Sequence, residues 1–250
     1  MILVRRGGAL PSAFRSRRST DRSEFYQVEQ LWHPKPEHAQ QGRLNGRGRP
    51  LFYCSDNSSV SIFEQRPQNG DLITVLECSS TGVAGTYLLI GELSRRINDN
   101  EVLLPQAPSI DADKLLQRYG IEKVQYSATL DRIFSRWLSQ PDKGYYVLTN
   151  WLSGFLFAME DLDGIVYPTV VWNEGFNIAL KPASSAKLLR PDRAFAVAID
   201  NPSANKKGQS PGYLLMVSES IGSDGCIVWK MDQQRDARSV SADKNSARRK

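Results

Sequence analysis

The stretch Gly42–Glu64, GRLNGRGRPLFYCSDNSSVSIFE, decides how the rest of the chain is read. It sets a Gly/Arg turn before a short apolar run, then a polar cluster at Asp56–Ser59, then the start of a helix that carries a carboxylate. Arg43 supplies a planar, permanently charged fork of the kind that grips phosphate oxygens two at a time. Tyr53 offers an aromatic face with a hydroxyl at its tip. Glu64 offers a carboxylate, expected near its helix start, where the helix dipole favours negative charge. An anion clamp, a ring and an acid within 22 residues suit a nucleotide better than a core. Each has an ordinary alternative: one loop arginine beside Arg47 and Arg49, a half-buried strand tyrosine, a dipole-stabilised glutamate. Strand residues alternate faces, so Phe52 is expected to point into the core and Tyr53 away from it.

Outward from this stretch the pattern alternates between strands and helices. Residues 1–24 are Arg- and Ser-rich and read as a disordered basic leader. FYQVEQLW (Phe25–Trp32) alternates as a first strand, and Pro34 and Pro36 keep His33–Gly48 a loop. Pro50–Cys54 is expected as a short strand, followed by a helix over Val60–Gln65 that Pro67 stops. Asp71–Ser79 reads as a strand, with Gly82 and Gly85 marking a turn before YLLIGEL. Helices are predicted over Ala112–Tyr119, Ser127–Leu138 and Tyr146–Met159. IVYPTVVW and FNIALKP form a predicted hairpin, with Thr169 on its first strand. AFAVAI (Ala194–Ile199), GYLLMVSE and CIVWKM are further strands, and residues 231–250 read as a disordered basic tail. Strands at both ends of a helical middle predict an α+β domain over 25–230, with the motif-bearing part at 42–180.

Composition narrows the function. The chain has 250 residues, 40% hydrophobic and 24% charged, which is ordinary for a globular domain. No run approaches the roughly 18 apolar residues of a membrane span. No apolar segment follows Arg5 and Arg6, so no secretory signal is expected, and Pro11 and paired glycines spoil the amphipathic helix of a transit peptide. The net charge of +5 lies in the ends: +4 in residues 1–24 and +3 in 231–250, leaving the middle at −2. Direct nucleic-acid binding by the domain is therefore not expected. Three cysteines, an odd number without a CxxC, make no disulfide framework. His33 and His38, separated by prolines, do not build a zinc site. A cytoplasmic, reduced, metal-free protein is the expectation. Ser153 is expected to bond back to its own helix, and Trp137, Trp151 and Trp172 to serve as core or interface anchors.

GRLN, an apolar run ending in Tyr53, and Glu64 eleven positions later resemble the RES domain, the toxin half of many bacterial toxin–antitoxin pairs. DGIVYPTVVWNEGFNIAL (Asp163–Leu180) is similar to that family's second motif, and the resemblance covers roughly Phe25–Leu180. Where the family usually carries Ser after Tyr-Pro, this chain has Thr169, which keeps the hydroxyl and adds a methyl. The resemblance implies an ADP-ribosyltransferase-like mixed sheet with helices, and NAD as substrate without a metal. It implies that Arg43 holds the diphosphate and that Tyr53 stacks on nicotinamide or bonds the ribose. It gives Glu64 the ribose hydroxyls and the developing cation, Thr169 the serine's place, and Asn177 the nicotinamide amide or a loop carbonyl. The expected function is an NAD-degrading toxin that cleaves the nicotinamide–ribose bond by hydrolysis or phosphorolysis. The alternatives are an ADP-ribosyltransferase acting on a protein, and a non-catalytic nucleic-acid or nucleotide binding module, against which the acidic middle counts. An antitoxin with a helix-turn-helix domain is the implied partner, with a homo-oligomer also open.

Overall fold

One sheet of ten strands organises the residues described by the structure, a computed structural model covering 4–10, 12–19, 24–98, 112–140, 142–171, 175–203 and 210–231. The strands are β1 (Val4–Gly8), β2 (Ala13–Arg18), β3 (Phe52–Ser55), β4 (Leu72–Ser80), β5 (Gly85–Leu89), β6 (Gly164–Pro168), β7 (Phe176–Leu180), β8 (Leu189–Ile199), β9 (Gly212–Ile221) and β10 (Ile227–Met231). Their spatial order is β1-β5-β6-β7-β3-β2-β4-β8-β9-β10. Every pairing is antiparallel except β5 with β6. Among the described residues seven α-helices accompany the sheet: α1 (Val28–Leu31), α2 (Ser58–Glu64), α3 (Glu92–Asn98), α4 (Ala112–Tyr119), α5 (Ile121–Leu138), α6 (Tyr146–Phe157) and α7 (Pro182–Leu188). The α+β expectation holds. A parallel pair needs a long crossover, and β5 and β6 are joined by the stretch that holds α3 to α6.

The period-2 alternation of the central strands splits the core in two. Phe52, Cys54, Val166, Ile178 and Leu180 pack on one face with Leu31 and Leu188. Leu51, Ile165, Tyr167 and Ala179 face the other way, against Leu138 of α5 and Leu152 and Leu156 of α6, with Tyr53 packed at that cluster's edge. Phe52 is fully buried, as alternation predicts. Of the described residues, no helix is long and apolar enough to cross a membrane.

Several sequence expectations are corrected here. The disordered leader of 1–24 instead contributes β1, registered on β5 from Val4↔Leu89 to Gly8↔Gly85, and β2, registered on β4. Arginines mark a solvated segment only when they have nothing buried to bond. Arg15 donates from Nη1 to the Tyr53 carbonyl (2.6 Å) and from Nε to the Leu31 carbonyl, and Arg17 donates to the Trp32 carbonyl (3.0 Å). Phe25–Trp32 is not a strand: Gln27 and Gln30 close a capping box that starts α1. Phe25, Val28, Leu31 and Trp32 pack on the sheet at helical spacing, with the Trp32 and Phe52 rings 4.3 Å apart. α7 follows directly on β7, with Pro182 in its first turn, a start signal the sequence reading passed over. Trp172 and residues 232–250 of the expected tail lie outside the described residues.

Candidate active site

Three adjacent strands carry the site. Register places Ser55 of β3 and Tyr167 of β6 opposite Asn177 of β7, and Tyr53 opposite Ala179, so polar side chains line up on one face. α2 rises from the end of β3. Asn57 caps it by accepting from the Val60 amide (2.9 Å), and Val60, Ile62 and Phe63 are buried. Gly175 makes this junction possible. Its φ is +114°, and a Cβ there would lie 2.7 Å from Asp56 Oδ1, the atom that accepts from the Phe176 amide at the start of β7.

Glu64 is the last residue of α2, not near its start, so the dipole argument reverses: a carboxylate at a helix C-terminus is disfavoured locally. What holds it is tertiary. Its Oε1 accepts from Asn177 Nδ2 (2.6 Å) and from Thr169 Oγ1 (3.1 Å). Asn177 is itself fixed, because its Oδ1 accepts from Ser55 Oγ (2.8 Å) and the amide must therefore turn its Nδ2 to Glu64. The other oxygen, Oε2, lies 4.0 Å from Arg43 Nη1, an ion pair too long for a hydrogen bond. The Arg43 and Glu64 side chains are 11% and 22% exposed, enclosed yet reachable.

The loop that carries Arg43 is pinned from three sides. Gly42 N donates to the Asn45 carbonyl (2.9 Å), and a Cβ on Gly42 would fall 2.3 Å from Asn45 Oδ1. The Tyr53 hydroxyl donates to Asn45 Oδ1 (2.8 Å) and accepts from the Leu44 amide (2.8 Å). Thr149 Oγ1 of α6 donates to the Arg43 carbonyl, and Leu44 sits buried beside Leu152 and Leu156. Arg43 Nε is buried without a partner. Burial works against the Arg43 charge, but Tyr167, Glu64, Tyr146 and Tyr53 together hold its pKa above the ordinary arginine value. Burial pushes the hydroxyls of Tyr53 and Tyr167 up, keeping both neutral.

Arg43, Glu64, Thr169 and Asn177 thus gather around one carboxylate, with Tyr53 behind the Arg43 loop. Two further placements differ from expectation. The Tyr53 hydroxyl is committed to the loop, so it positions Arg43 and is not free to serve a ribose. Thr169 is not on a strand: β6 ends at Pro168, and Thr169 Oγ1 accepts from the Val171 amide (3.2 Å) in the turn that follows. Tyr146, Thr149 and Tyr167 were missed by the sequence reading. The first two were hidden in a helix read for its apolar residues, while Tyr167 stood in plain view beside Pro168. Ser153 bonds the Asn150 carbonyl (2.9 Å), an i−3 contact. Trp137 packs near Phe134, whereas Trp151 is 74% exposed. Arg47 and Arg49 are exposed, and His33 Nδ1 lies 3.2 Å from the Pro34 carbonyl. Among the described residues no three His, Cys, Asp or Glu side chains gather as a metal site would require.

The RES domain family model matches residues 14–200, about three quarters of the chain. The chain belongs to the RES domain family, one known from toxin–antitoxin systems. The match begins at Phe14, inside β2, so it takes in strand that the sequence reading gave to a leader. No match is found among the curated proteins or the solved structures.

Proposed function

We propose that this RES-family chain binds NAD and breaks the bond between its nicotinamide nitrogen and ribose C1′. The observation that carries the proposal is Glu64: a carboxylate at an unfavourable helix end, with one oxygen fixed by Asn177 and Thr169 and the other turned toward Arg43. Local rules are broken where function requires it. A carboxylate fixed in place by side-chain donors is preorganised for a developing cation, and electrostatics of this kind is commonly the largest catalytic contribution.

The chemistry suits these residues. The C1′–N bond breaks with its electron pair going to the nicotinamide, which leaves as a neutral ring and needs no general acid. The ribose takes on oxocarbenium character, as in glycoside cleavage, and Glu64 stabilises it while holding ribose hydroxyls. Arg43 meets the diphosphate with donors that include its unpartnered Nε. Tyr53 and Thr149 act through the Arg43 loop as positioning residues. Water adding at C1′ and losing a proton gives ADP-ribose; phosphate gives ADP-ribose phosphate; a protein side chain gives a modified protein.

A protein partner belongs to the same proposal. α6 bonds the Arg43 loop through Thr149 and leaves Val147, Trp151 and Phe155 exposed at i, i+4 and i+8. An antitoxin seated on that stripe would lie beside the site it has to silence.

The test is incubation of the purified protein with NAD while nicotinamide is followed. Release of nicotinamide is expected, with the second product identifying the acceptor. NAD left intact with and without phosphate, and no ADP-ribosylated protein, overturns the proposal.

A further inference from the structure

We infer that Asn150 of α6 reads a planar donor–acceptor edge of the bound nucleotide. Both polar atoms of its side chain, Oδ1 and Nδ2, are buried and without a partner. Its backbone is not the explanation, since its carbonyl already accepts from Ser153 Oγ. A buried unpaired amide opposes folding, and Asn is a poor residue inside a helix. Position supplies the reason to keep it. The preceding residue, Thr149, bonds the Arg43 carbonyl, and Tyr146, one turn earlier on the same face, influences the ionisation of Arg43 and Tyr53. Asn150 therefore stands on the helix face that supports the Arg43 loop.

An asparagine amide presents one donor and one acceptor side by side. The group that answers both at once is another such edge: a carboxamide, or the amino and ring-nitrogen edge of adenine, the pairing asparagine uses to read that base. NAD carries both, so the inference rests on the NAD reading of the site and adds a recognition residue outside the motifs.

The experiment compares Asn150→Leu with its parent, both in a Glu64→Gln background so that bound ligand persists. Calorimetry is run with NAD, nicotinamide mononucleotide and ADP-ribose. Asn150→Leu should bind NAD at least tenfold more weakly and should lose the same factor for one fragment only. Loss confined to nicotinamide mononucleotide assigns the carboxamide; loss confined to ADP-ribose assigns adenine. Equal loss for all three ligands, or none, overturns the inference. The melting temperature is the second readout. Replacing an unpaired buried amide by an isosteric apolar group should hold or raise it, whereas a lower value shows a structural amide and overturns the inference too. A parent that binds no NAD, beside a wild type that neither binds nor cleaves it, refutes the NAD reading itself. A parent that binds NAD beside an unaffected variant refutes Asn150 alone.

Discussion

Two arginines approach Tyr53 from opposite ends, and they are built on opposite plans. Arg15 of β2 spends its donors on the main-chain carbonyls of Leu31 and Tyr53 and lays its guanidinium 5.2 Å from the centre of the Phe52 ring. Among the described residues no carboxylate pairs with it, and burial, with Arg17 adding to it, pushes its pKa down to about 10. Arg43 has its loop held by the Tyr53 hydroxyl, keeps Nε unpartnered, and faces Glu64 across a gap of 4.0 Å. A guanidinium tied to two main-chain carbonyls is a strut. One that is enclosed, loosely paired and short of partners is where an anion fits. The β2 side of Tyr53 is thus made for stability and the loop side for a ligand.

The largest expected effect sharpens this contrast at Glu64. Glu64→Gln keeps an oxygen for Asn177 and Thr169 but removes the charge, so turnover should fall by about 100-fold or more, some 3 kcal/mol. The melting temperature should hold or rise slightly, because the charge at the end of α2 is locally unfavourable. Rapid-quench assays of nicotinamide release, beside thermal melts, check both. An active Gln variant would move the chemistry away from Glu64.

Next come the arginines themselves. Arg15→Met strands two carbonyls and should cost about 2–4 kcal/mol of stability, measured by urea unfolding, with activity following the folded fraction. Arg43→Met should leave unfolding nearly unchanged and weaken NAD binding roughly ten- to hundredfold. If the two variants exchange behaviours, or both lose stability equally, the division between strut and ligand arginine is wrong.

That division was half legible in the sequence. The GRLN turn, Tyr53, Glu64, Thr169 and Asn177 could be named because their spacing is local or repeats a family pattern. The strand alternation at Phe52–Tyr53 and the cap at Asn57 follow from neighbours alone. β2 was illegible because its arginines look like solvent residues until Leu31 and Tyr53 supply carbonyls from elsewhere in the chain. The direction of α2 misled for a similar reason: Glu64 sits at a helix end that propensity would refuse, and only Asn177, on a strand far along the chain, makes it tolerable. Asn150 gave no signal at all in an apolar helix.

Thr169 carries the smallest expected effect and the finest test of the contrast, since it touches the site through one contact. Its hydroxyl donates to Glu64 Oε1 (3.1 Å) and accepts from the Val171 amide (3.2 Å), and it stands in the turn beyond β6, where strand propensity has no hold. Thr169→Ser keeps both bonds and should match the parent. Thr169→Val keeps the shape, loses both bonds, and leaves Glu64 to the shorter contact from Asn177 (2.6 Å). A hydrogen bond to a charged carboxylate is worth about 1.5 kcal/mol at the low end that this 3.1 Å contact suits, so kcat should drop roughly tenfold, with KM and melting temperature moving little. The fall belongs in kcat because a loosened carboxylate matters most when the ribose becomes cationic. Were the hydroxyl merely a brace for the turn at Val171, Thr169→Val would lower the melting temperature and spare kcat. That outcome would reassign Thr169 from the loop-side machinery to the scaffold, leaving Asn177 alone to hold Glu64.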